Sequence, residues 1–125
     1  MKKDNKGFSL VELIIVIAIM AVLVGLLAPQ YLKYVSNSKV STDISNAQEI
    51  ATALNVAFAD DQSAASMAAA NKMPDNTDFP KSKYSAGFSW SVHVGDNGVD
   101  GITLGGKEIY PDPKKTGAYY DTYHK

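Results

Sequence analysis

Apolar positions along the 125-residue chain fall into two regimes. Residues 8–28 are apolar except at Ser9, Glu12 and Gly25. As a helix, these 21 residues span roughly 30 Å, the thickness of a bilayer's hydrocarbon core. Beyond them, apolar residues recur at three- and four-residue steps: Val40, Ile44, Ala47, Ile50 or Ala51, Leu54 and Phe58. Ser41, Asp43, Ser45, Asn46, Gln48 and Glu49 fill the opposite, polar side. Neither Gly nor Pro occurs from residue 30 to 73, and Pro29 bends a helix without having to end it. The pattern predicts one helix over about 8–59, its first half apolar all round and its second half amphipathic.

The remainder changes period. Residues 63–72, rich in alanine, predict a short helix, and 73–80 a loop through their Pro, Asn and Asp content. From 88 to 94 the chain alternates, with Phe88, Trp90, Val92 and Val94 on one face and Ser89, Ser91 and His93 on the other. A turn at 95–98, a strand at 99–104, a Gly105-Gly106 turn and a strand at 107–110 follow. Residues 111–125 read as irregular, leaving open whether their tyrosines pack over the sheet, contact a neighbour or stay exposed. The expected fold is α+β, a long N-terminal helix packed on a small antiparallel sheet of about three strands. Its sheet edges would be exposed unless subunits cover them.

Composition narrows the chemistry. Twelve lysines, no arginine and thirteen acids give a net charge of −1, and without guanidinium forks a dedicated nucleic-acid reader is not expected. The absence of cysteine removes disulfides, thiolate metal sites and thiol nucleophiles. The two histidines, His93 and His124, provide no nucleophile–base set, so no catalytic residues, no metal site and no cofactor are assigned. Asp96, Asn97 and Asp100 lack the ladder and distal Glu of a calcium loop and read as a turn. His93 is expected in solvent, and Trp90 in the core.

Three lysines against one acid in residues 1–7 favour keeping the amino end in the cytoplasm. Within the apolar run Glu12 stands out, because a carboxylate there costs about 2.5–3.5 kcal/mol on insertion and asks for a partner. One reading leaves it at the helix start, near the interface and favoured by the helix dipole. The other places its partner on a second chain: a cut before Phe8 would create an α-amino group one turn from Glu12, and a neighbour shifted by about a turn could pair with it.

The stretch from Gly7 to Ile19, GFSLVELIIVIAI, closely resembles the leader junction of type IV prepilins, and the likeness runs on through Pro29, Tyr31 and Tyr34. By position, the resemblance implies cleavage after Gly7 by a prepilin peptidase and N-methylation of Phe8. It implies subunit registration through Glu12, and a looser helix between Gly25 and Pro29, since Ala21 stands where many members have glycine. Losing residues 1–7 would take the net charge from −1 to −3 before the new amine is counted. Many Gram-negative members close a C-terminal loop with a disulfide that this chain cannot form, which leaves the anchoring of its tail open.

The expected organisation is a leader at 1–7, a membrane and fibre-core helix at 8–28, its amphipathic continuation at 29–59 and a small head at 60–125. The resemblance implies a structural pilus subunit, held as a single-pass precursor in the cytoplasmic membrane and then displayed on the cell surface. Its partners would be identical subunits, the prepilin peptidase and methylase, and the pilus assembly platform. The alternatives are a pseudopilin of a type II secretion or DNA-uptake system and a single-span binding module that never polymerises.

Overall fold

A computed structural model describes residues 9–60 and 63–125. One continuous helix, α1, covers Leu10–Ala59 and passes through Pro29 without a break in its assignment. Two short helices, α2 at Ala64–Ala69 and α3 at Tyr119–Tyr123, flank a three-stranded sheet in sequence. The strands are β1 at Trp90–Gly95, β2 at Gly98–Leu104 and β3 at Lys107–Tyr110, antiparallel in the order β1-β2-β3. The chain divides into two compact units, Met1–Val35 and Ser36–Lys125, with the boundary inside α1.

Within the second unit, α1 buries Val40, Asp43, Ala47, Ile50, Ala51, Leu54 and Ala57. The apolar members other than Ala57 share one core with Trp90 of β1, Val99, Ile102 and Leu104 of β2, and Ile109 of β3. A helix stripe and the inner face of a twisted sheet cover each other here, as both need to. The alternation in β1 is as read: Trp90 is buried, Val92 and Val94 are half-buried, and Ser91 and His93 are exposed. Phe88 precedes the strand instead of belonging to it. Its half-buried ring lies so close to the Gly105-Gly106 turn that a Cβ on Gly105 would sit 2.9 Å from it. Both turn glycines have positive φ, 61° and 83°, the combination a two-residue hairpin loop with matched twist requires.

The β1–β2 hairpin is pinned to the helix at its turn. Asn55 on α1 accepts the Val99 N–H through Oδ1 at 2.8 Å. Gly98, at φ +117°, permits that approach, since a Cβ there would stand 2.5 Å from the same oxygen. The outer strands do not stand alone: α2 lies against β1 and α3 against β3.

Two expectations need correction. Asp43 was placed on the polar side of α1, yet it is fully buried. It lies three residues after Val40 and four before Ala47, on the buried stripe itself, and its charge is met there by four donors. Oδ2 accepts from the Ser82 hydroxyl at 2.7 Å, the Tyr119 hydroxyl at 2.7 Å and the Tyr84 N–H at 3.2 Å. Oδ1 accepts from the Lys83 N–H at 2.7 Å.

The second correction concerns the tail. Instead of being irregular, it forms α3, with Tyr119 fully buried and Tyr123 tilted against Tyr84 at 4.9 Å between ring centroids. Asn37 of α1 then holds Lys125 twice, accepting its N–H at 2.7 Å and donating to its carbonyl at 3.0 Å. The anchoring that a disulfide supplies elsewhere is achieved here by hydrogen bonds and ring packing.

Replacing Asp43 by Ala strands four donors at a buried point. The expected loss is about 3 kcal/mol or more. Urea unfolding of the full chain in detergent, followed by fluorescence of the single buried tryptophan, measures it.

Burial first, and then the bond to Asp43, push the Tyr119 phenol up from its ordinary value. Below about pH 10 both folded and unfolded states keep this proton. Above it the unfolded state ionises while the folded state does not, so stability falls as pH rises. Tyr119→Phe removes this alkaline slope, read as urea midpoints between about pH 9 and pH 11.

Candidate assembly surface on the first half of the long helix

Over its described residues the first unit is a helix without a core. Between Leu10 and Leu27, fourteen large apolar side chains are 43–73% exposed, distributed all around the axis. Covering them from water is worth on the order of 10–20 kcal/mol, which makes this surface the dominant unspent interaction in the chain. Helix α1 is long and apolar enough to cross a membrane, and its most apolar stretch is nowhere buried within the chain. Tyr31, Leu32 and Tyr34 continue the exposed strip, at 66–73%.

The start of α1 is built by Ser9 and Glu12. The Ser9 hydroxyl oxygen accepts the Glu12 N–H at 3.2 Å, and the hydroxyl donates to Glu12 Oε1 at 2.9 Å. The Leu13 N–H closes the first helical bond onto the Ser9 carbonyl at 3.0 Å. This is the Ser-x-x-Glu spacing of a capping box, in which a side chain satisfies a backbone donor that the first turn leaves orphaned. The structure thus gives Glu12 a partner in its own chain that sequence reasoning missed, although the three-residue spacing was there to find it. The cap also fixes the carboxylate at the positive end of the helix dipole.

Gly25 and Pro29 occupy positions i and i+4 of α1. Proline has no N–H, so the Gly25 carbonyl is deprived of its usual helical donor at that step. A Cβ at Gly25 would meet no heavy atom within 4 Å, so nothing in the chain's own packing demands glycine there. The two residues named for helix loosening are therefore joined by a single missing hydrogen bond. Glu12 lies about 20 Å farther along the axis. Gly7 and Phe8, assigned to cleavage and methylation, lie outside the described residues.

Together these features define an α+β protein whose apolar helix must be covered by something outside its own chain. The prokaryotic N-terminal methylation motif matches residues 2–28. The chain is 39% identical over 64 residues to the type IV major fimbrial protein FimA of Dichelobacter nodosus, covering 51% of this chain and 40% of that protein. It is 31% identical over 102 residues to a fimbrial protein of Pseudomonas aeruginosa, covering 82% and 60%. A fimbrial protein of Moraxella nonliquefaciens is 30% identical over 119 residues, covering 90% of this chain and 69% of that protein. No solved structure matches. The chain belongs to the type IV pilin family.

Replacing Ser9 by Ala removes the cap and releases Glu12. The expected cost is about 0.5–2 kcal/mol at the helix start. Faster amide exchange at Glu12 and Leu13, with no change beyond the second turn, is the readout in detergent.

Proposed function

We propose that this chain is the structural subunit of a type IV pilus, inserted in the cytoplasmic membrane with its amino end inside and then polymerised through α1. The bare apolar surface from Leu10 to Leu27 carries this reading. A helix that is apolar on every face needs lipid or other helices around it, and a subunit that leaves the bilayer for a fibre exchanges one cover for the other. The relatives that carry fimbrial names support the fibre as the second cover. Neither reaction nor cofactor is assigned to the chain.

In this reading the leader is residues 1–7, and a prepilin peptidase cuts between Gly7 and Phe8. Methylation follows at the Phe8 amine. Residues 8–28 form the membrane and fibre-core segment, 29–59 the amphipathic continuation, and 60–125 the head. Inside the fibre, Glu12 pairs with the Phe8 amine of a neighbouring subunit, which sets the axial step. Ser9 holds that carboxylate at the helix start before a neighbour arrives. The missing bond between Pro29 and Gly25 lets α1 loosen there on entering the fibre.

Glu12→Val keeps membrane insertion and is expected to lower fibre yield at least tenfold, counted by electron microscopy of sheared surface material. Wild-type yield in that variant would sink the registration role. Replacing Gly7 by a bulkier residue is expected to leave the precursor mass unchanged in the membrane fraction; a normally processed mass would move the cut elsewhere.

A further inference from the structure

Residues 117–125 are fastened to the rest of the second unit at few points. Their hydrogen bonds to α1 are three, one from the Tyr119 hydroxyl to Asp43 and two between Lys125 and Asn37. The others are local. The Gly117 N–H meets Asp121 Oδ2 at 2.9 Å, the Thr122 hydroxyl meets the Ala118 carbonyl at 2.7 Å, and the Tyr120 N–H meets the Pro113 carbonyl at 2.8 Å. Only Ala118 and Tyr119 of the nine residues are buried. A five-residue helix has no stability of its own and persists only while docked.

The residues just before it are held differently. Lys115 pairs with Glu108 of β3 at 2.5 Å, so the chain is fixed to the sheet up to that point. Gly117 follows, exposed, at φ +80° and with open space around it, a natural pivot.

Asp43 allows the segment to leave without collapse. When Tyr119 departs, the buried carboxylate keeps the Ser82 hydroxyl and the Lys83 and Tyr84 N–H groups. Three donors still satisfy the charge, and the joint between α1 and residues 82–84 stays closed. Tyr119 exchanges one hydroxyl partner for water and brings its buried ring out of the core. The remaining fastening is the burial of Tyr119 in the core, the Tyr120 N–H on the Pro113 carbonyl, Lys114 over the Tyr120 ring at 4.9 Å, and ring packing of Tyr119 against Phe88 at 6.3 Å and of Tyr123 against Phe88 at 5.3 Å and Tyr84 at 4.9 Å.

We propose that residues 117–125 form a strap that opens about Gly117 as a separate unit, ahead of global unfolding, and uncovers the rings of Tyr84 and Phe88 beside α1. The strap is the low-stability end of an otherwise cooperative unit. Its opening enlarges the exposed aromatic surface of Tyr84 and Phe88, which are half-buried in the closed state.

Hydrogen exchange of the full-length chain in detergent, resolved by residue at increasing urea, tests this. The amides of Thr122, His124 and Lys125 are expected to exchange at least tenfold faster than those of Ile102 and Leu104, with little urea dependence. The Lys83 and Tyr84 amides are expected to follow the sheet. Asn37→Ala, at the half-buried margin of α1, should speed the strap amides a further several-fold and leave the sheet amides unchanged. Exchange of all these amides in a single urea-dependent step would overturn the proposal. So would Lys83 and Tyr84 exchanging with the strap, or an Asn37→Ala variant that accelerates sheet and strap alike.

Discussion

The structure turns on a helix that cannot be covered by its own chain. From Leu10 to Leu27 the side chains of α1 are apolar on all sides, and no other described segment packs on them. In water this surface is untenable; in hydrocarbon or in a bundle of like helices it is neutral to strongly favourable. The charge pattern follows from the same constraint. Basic residues precede the run, and the rest of the chain is polar enough to stay in water.

That second unit solves its own problem with a buried carboxylate. A sheet of three short strands and half a helix gives little apolar burial, and with no cysteine a covalent clamp is unavailable. Asp43 gathers α1, residues 82–84 and α3 around two oxygens. A fully satisfied buried charge adds modest net stability, but its directional bonds specify which segments meet. Asn55 and Asn37 do the same at the hairpin and at Lys125, so the helix reads each later segment through a polar side chain.

Much of this was legible in the sequence because it rests on local periodicity. The extent of α1, the two hairpin turns and the three strands follow from spacing and turn chemistry at Gly98 and at Gly105-Gly106. Asp43 was misplaced because its partners lie 39 to 76 residues away and no local pattern announces them. Residues 119–123 were hidden for a related reason: five residues rich in tyrosine carry no helical signal, and docking alone makes them helical. Ser9 was within reach. Its three-residue spacing from Glu12 is a local signal, that of a capping box.

Glu12 and Asp43 lie on one helix, and both place a carboxylate against apolar surroundings. What separates them is the number of donors each receives. Asp43 accepts four hydrogen bonds from its own chain, so nothing further is required and its role closes inside the fold. Glu12 accepts one side-chain hydroxyl among the described residues, through Oε1, enough to fix its direction but not to compensate a full charge in hydrocarbon. A carboxylate held in place yet under-compensated retains a large incentive to meet a cation where water is excluded. In the proposed pilus that cation would be a neighbour's new amino terminus arriving at the same height. In the proposed pilus, the one charge in the apolar run would then set the register of assembly.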